Sequence, residues 1–263
     1  MSPTANTLLS QFGITAPAGF ILVLARVSPL FAVAPMFSSK QIPARVRTIV
    51  AVALAIGLLP LALHGQHVPQ DALTIAALVL KELLVGLGFA LSLGVLFAAI
   101  NSAGALLDVL IGFSFGSLID PLTGNQSAVL AQVYSLIAIA IFVVINGDAW
   151  VVQGLARTYD LVPLMGAPDF ASIAEGVTSV FTTIFTSALE VCAPVLIAVV
   201  VTDVAFGVVS RVVPQLNVFA VGFPVKVVVG LLVVAASLPF VVGWISDQLA
   251  LSVGQALQTL KVG

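Results

Sequence analysis

The chain has 263 residues, of which 60% are hydrophobic and only 8% charged, whereas a typical soluble domain carries about 25% charged residues. So few charges cannot cover a water-facing surface, and nine basic against eleven acidic residues, a formal net charge of −2, leave no basic patch for nucleic acid. A single cysteine excludes an intramolecular disulfide, and the composition as a whole predicts an all-α, integral membrane-type protein with several spans and long, kinked helices.

Residues 1–18 have no basic n-region and no cleavage-site pattern after an apolar run, so they are expected to stay on the protein. Apolar runs follow at about 18–37, 48–63, 73–100, 129–145, 177–206 and 218–246, with a further stretch at 105–119. Between the first two, Lys40, Arg45 and Arg47 form a basic loop, while the loop from His64 to Asp71 has no Lys or Arg. The positive-inside tendency puts the basic loop on the cytoplasmic side and the N-terminus outside.

From Asp71 to Asp120 the apolar pattern runs without proline, interrupted only by Asn101–Gly104 and Asp108. A single straight helix is not expected there; a bent or broken path buried in protein would explain the pattern, as would tilted helices with long ends. The interval from Arg157 to Gly176, with Pro163 and Pro168, reads as an irregular loop. The run at 177–206 would make a helix of about 45 Å, longer than the ~30 Å hydrocarbon slab. Pro29, Pro35, Pro194, Pro224 and Pro239 interrupt apolar runs and invite kinks.

Charges inside these runs are the most informative residues. Arg26, Lys81, Glu82, Glu190, Asp203 and Lys226 each cost roughly 2.5–3.5 kcal/mol at a helix centre. They must pair, meet a partner subunit, face water or snorkel to an interface. Neighbours on a helix point about 100° apart, so Lys81 and Glu82 are expected to meet different partners. A hairpin around Arg211–Asn217 would bring Glu190 near Lys226.

Gly112-Phe113-Ser-Phe115-Gly116 has the small-xxx-small spacing of close helix packing. It runs directly into Leu118-Ile119-Asp120-Pro121, the start of a strong turn signal. Either it is a helix contact, or it is a loop near 112–125 whose apolar side chains exclude water from a pore. Catalysis lacks parts. His64 and His67 are the only histidines, without a nearby cysteine or any carboxylate before Asp71, and Gly86-x-Gly88 lacks the rest of a dinucleotide fingerprint. No enzyme, cofactor or metal function is expected.

Several of these landmarks carry a likeness. Arg26-Val-Ser-Pro-Leu-Phe31, Ala34-Pro-Met-Phe37, Ile42-Pro-Ala-Arg45-Val-Arg47, Gly112-Phe-Ser-Phe115, Asp120-Pro121, Asn146-Gly147, Pro214-Gln-Leu-Asn217 and Gly222-Phe-Pro-Val-Lys226 stand in this order. In order and spacing the chain resembles the FliR family of flagellar type III export-gate subunits over about residues 18–246. Asp148 departs from the pattern, where the family often has histidine.

The resemblance implies a FliP-like part, residues 1–176, and a FliQ-like helical hairpin, residues 177–263. It also implies a hetero-oligomeric gate built with FliP-like and FliQ-like subunits and with FlhB-like and FlhA-like export components. Such a gate passes unfolded flagellar proteins through the bacterial inner membrane at the base of the flagellar basal body, with some contact to membrane lipid. Within it, Gly112, Phe113, Phe115, Gly116, Leu118, Ile119, Asp120 and Pro121 match the region that plugs the closed channel. A secondary transporter of a small solute, suggested by broken runs and buried charges, is the alternative. A virulence-injectisome component shares the same architecture.

Overall fold

A computed structural model of the chain describes residues 15–38, 42–64, 66, 68–69, 71–114, 128–166, 170–215 and 217–259. The regular elements among them are helices: α1 (Thr15–Val33), α2 (Pro35–Ser38), α3 (Ala44–Ala62), α4 (Ala72–Ile111), α5 (Val129–Val144), α6 (Gly147–Leu161), α7 (Phe170–Val212) and α8 (Val218–Thr259). Four of them, α3, α4, Thr182–Val212 of α7 and Ala220–Leu249 of α8, are long and apolar enough to cross a membrane. Counting α5 and α6 as one broken span makes five.

Helix lengths depart most from the sequence expectation. α4 runs unbroken for 40 residues through Asn101–Gly104. Those polar and small residues serve its packing: Asn101 lies on the exposed side and donates to Ser135 Oγ at 3.1 Å, and Gly104 admits a neighbouring backbone. The loop expected from Arg157 to Gly176 is shorter, because α6 extends to Leu161 and α7 begins at Phe170. Arg157, Asp160 and Glu175 belong to these helices and point outward. At ~1.5 Å per residue α4, α7 and α8 are each roughly 60 Å long, twice the ~30 Å hydrocarbon slab.

The helices group into two compact units. The first takes in the chain up to Gly94, Gly147–Val180 and the end from Ala250. In it α1 packs on α3; α1 buries Leu22, Val23, Val27 and Leu30, and the buried face of α3 is mostly small: Ala51, Ala55, Leu58, Leu59 and Ala62. Small residues let helix axes come close where lipid offers no competing hydrophobic drive. α4 adds Val85, Phe89 and Leu93, at four-residue spacing. At its start Asp71 caps the helix, accepting from the Thr74 amide at 2.9 Å and the Thr74 hydroxyl at 2.7 Å. These bonds hold the Asp71 carboxyl below the usual carboxylate range.

The second unit takes in Val95–Asn146 and Phe181–Leu249. Leu96, Ile100, Ala103, Leu107 and Ile111 continue the buried stripe of α4, and α5 contributes Leu130, Tyr134, Ala138 and Ile141. α7 buries Ala188, Val191, Cys192, Val195 and Val199, and α8 buries Val234, Val241, Ile245 and Leu249. Outward, α7 presents Phe185, Leu189, Ile197, Val200, Val204 and Val208. Of the apolar window in α4, 61% is buried inside the chain, against 22% in each of α3, α7 and α8. A helix apolar all round needs lipid or protein on its free side.

Two turns use unusual backbone. Gly112 ends α4 at φ 104°, which a side chain would strain, and Asn146 starts the turn into α6 at φ 55°, where asparagine is tolerated.

Close approach at two other glycines sets the helix spacing. A Cβ on Gly86 would lie 2.2 Å from the Arg26 carbonyl oxygen, and one on Gly104 would lie 2.4 Å from Ala131 Cα. Neither obstacle is a flexible side-chain tip, so Gly86→Ala and Gly104→Ala are each expected to cost about 1–3 kcal/mol through overpacking. Gly57, with no atom within 4 Å of a built Cβ, is the control: Gly57→Ala should leave the thermal unfolding midpoint in detergent unchanged or slightly raised. Equal midpoints for all three variants would refute the close-approach account.

Candidate functional site

In the first unit, α1 and α4 bring three of the six in-run charges together. Arg26 and Glu82 have fully buried side chains, and Lys81 is 9% exposed. Arg26 Nε donates to Glu82 Oε2 at 2.5 Å. Its remaining nitrogens turn to the end of α6: Nη1 donates to the Thr158 carbonyl at 3.0 Å, and Nη2 to the Val162 carbonyl at 2.8 Å. The guanidinium lies over the Tyr159 ring, 4.3 Å from its centroid, a favourable cation–π placement.

Lys81 and Glu82 do converge, contrary to expectation for adjacent helix positions. Lys81 Nζ lies 2.9 Å from Glu82 Oε1. The expectation that they serve different partners holds in the hydrogen bonding. Lys81 donates to the carbonyls of Pro163 at 3.2 Å, Leu164 at 2.6 Å and Gly166 at 3.0 Å. An ammonium has three protons, so these carbonyls use its donors, and Glu82 Oε1 receives charge without a directed hydrogen bond. The helix C-terminus carries a partial negative charge, and two cations with one carboxylate fit against it.

In the second unit, Lys226 pairs with Asp203 at 2.8 Å, with side chains 23% and 54% exposed. The expected Glu190–Lys226 pair does not form. Glu190 instead accepts from Trp244 Nε1 at 3.1 Å. Asp203 and Glu190 stand thirteen residues apart on α7, about 20 Å along the axis, so one lysine reaches only the nearer. An open pocket of about 500 Å³ lies between the ends of α4, α7 and α8, lined by Val109, Gly112, Asp203, Phe206, Phe223 and Lys226.

Of the plug-like residues, Gly112 is buried and Phe113 half-buried, at the end of α4. Phe115, Gly116, Leu118, Ile119, Asp120 and Pro121 lie outside the described residues. The expected basic loop is a helix start instead: Arg45 and Arg47 lie in the first turn of α3, with Arg45 exposed, and Lys40 is outside the described residues. Arg47 donates to the carbonyls of Ile42 at 3.3 Å and Ser38 at 3.4 Å, which links the first turn of α3 to the end of α2.

Sequence reasoning treated Asp108 only as an interruption of the apolar pattern. It is 1% exposed. Its carboxylate accepts from the amides of Leu130 at 3.0 Å and Ala131 at 3.2 Å, the first turn of α5. The usable signal was an acid four residues after a glycine, Gly104, in the part of α4 beyond Glu82 that holds no other charge.

Removing Glu82 leaves two buried cations facing only carbonyls, whereas removing Arg26 leaves the Lys81–Glu82 pair balanced. Glu82→Gln is therefore expected to destabilise more than Arg26→Met, with a loss of about 3–5 kcal/mol typical of a broken buried pair. Thermal unfolding in detergent reads the order. Arg26→Met as the more damaging change would contradict the charge balance.

Residues 18–251 match the family described as bacterial export proteins, family 1. The chain is similar to the flagellar biosynthetic protein FliR of Bacillus subtilis (strain 168), 33% identical over 242 residues, covering 90% of this chain and 91% of that one. Similarity to FliR of Escherichia coli (strain K12) is 28% over 218 residues, 83% of each chain. The surface presentation of antigens protein SpaR of Shigella flexneri is 26% identical over 214 residues, covering 81% of this chain and 82% of its own. By the match across nearly its whole length, this chain belongs to the family of bacterial export proteins, family 1.

Proposed function

We propose that the chain is an export-gate subunit of a bacterial flagellar type III secretion system. The observation that carries this reading is likeness to FliR proteins along more than four-fifths of the chain. The identity is higher to the FliR of Bacillus subtilis than to SpaR, which favours the flagellar system over an injectisome. Nothing in the helices or the comparisons favours a small-solute carrier.

In this reading the chain works in the inner membrane with FliP-like and FliQ-like subunits and with FlhB-like and FlhA-like components, and unfolded flagellar proteins are the cargo. Residues 177–263 act as the FliQ-like hairpin and residues 1–176 as the FliP-like part. The uncovered faces of α7 and α8 suit such an assembly, because protein can cover helices about twice as long as the hydrocarbon slab is thick. The basic residues Lys40, Arg45 and Arg47 lie on the cytoplasmic side by the positive-inside tendency. Gly112–Asn125 forms the plug, with Phe113, Phe115, Leu118 and Ile119 as a water-excluding seal.

Disrupting the gene should abolish flagellar subunit secretion, and supplying the chain in trans should restore it. Secretion that persists without the chain would sink the proposal. Deleting residues 112–124, or replacing Phe113 and Phe115 by alanine, should make membranes carrying the assembled complex leaky to small solutes. Unchanged ion permeability with the complex intact would reject the plug while leaving the subunit assignment in place.

A further inference from the structure

Helix α5 lacks a cap of its own. Its N-cap residue is Ala128, which has no side chain able to accept from the first turn, where helices leave up to four amides without partners. Buried amides left this way are costly. Asp108, reaching across from α4, takes their place: Oδ1 and Oδ2 lie 3.1 and 3.0 Å from the Leu130 nitrogen, and Oδ2 lies 3.2 Å from that of Ala131.

The same residue closes the end of its own helix. The Asp108 carbonyl accepts from the Gly112 amide at 3.1 Å and the Ser114 amide at 3.3 Å. With Gly112 at φ 104° this is the left-handed stop of a helix C-terminus. One residue thus holds the last turn of α4 through its backbone and the first turn of α5 through its side chain. The contact is possible because Gly104, one turn earlier, lets Ala131 approach. A buried carboxylate would be expensive alone, but the N-terminus of α5 supplies donors and a favourable dipole.

We infer that Asp108 is the positioning residue that sets where α5 begins, clasping the last turn of α4 to the first turn of α5. Loss of its carboxylate frees the first turn of α5 to unwind while the rest of the helix stays packed. Its consequence for the closed gate rests on the plug reading above; the clasp itself does not.

The test is hydrogen exchange by mass spectrometry on the assembled export complex, comparing wild type with Asp108→Ala, Asp108→Asn and the exposed control Asp148→Ala. Peptides covering residues 128–135 should lose about tenfold or more in protection in Asp108→Ala. Asp108→Asn keeps the shape and one acceptor and should lose less. It also carries the test if the alanine variant fails to assemble. Peptides from residues 136–144 and the Asp148→Ala complex should match wild type. Wild-type protection at 128–135 in both Asp108 variants would overturn the clasp, as would loss spread evenly along α5. Lost protection with unchanged solute permeability would uphold the clasp and count against the plug.

Discussion

The buried pairing of Arg26 with Glu82 is the constraint on which the first unit depends. Two charges in a dry interior carry a desolvation cost that only close geometry and further hydrogen bonds offset. Here the compensation comes from three helices at once. α1 brings Arg26, α4 brings Glu82 and Lys81, and the end of α6 brings the carbonyls of Thr158, Val162, Pro163, Leu164 and Gly166. Purely apolar helices slide and rotate over one another at little cost. A guanidinium that must meet a carboxylate and two named carbonyls fixes rotation and register together.

The second unit repeats the device with different parts. In each, a glycine stands one turn from a buried acid on α4: Gly86 beside Glu82, and Gly104 beside Asp108. The glycine brings a foreign backbone to contact distance, and the acid then meets groups on that approaching helix. For Glu82 the partner is a cation of α1, and for Asp108 it is the amide-rich start of α5. α4 contributes residues to each unit and is the most buried of the long apolar helices.

Much of this was legible in the sequence. The all-helical membrane class followed from the scarcity of charge, and the six charges in apolar runs stood out as needing partners, although Glu190 and Asp203 prove exposed. The partners themselves were not legible, because the nearest candidate in a hairpin depends on axial offset. Lys226 meets Asp203 and leaves Glu190 to Trp244. Backbone acceptors were invisible too, since a carbonyl has no sequence signature; hence the role of the α6 terminus for Lys81 was missed. α6 itself escaped notice because Asp148, Gln153, Arg157 and Asp160 make it too polar for an apolar-run reading. Gly86 looked like a fragment of a nucleotide motif and is a packing contact.

The outward faces of α7 and α8 are an apolar surface that the chain itself does not cover. Phe185, Ile197, Val201, Val204, Val228 and Leu232 are exposed on helices too long for lipid alone to cover. Lipid or partner protein must cover that surface, and on the reading proposed above partner subunits cover part of it. The most direct measurement is native mass spectrometry of the chain, tagged and extracted from its own membranes in mild detergent. A hetero-oligomer containing FliP-like and FliQ-like subunits is the expected result. A stable, monodisperse single copy with neither partner bound would contradict the account.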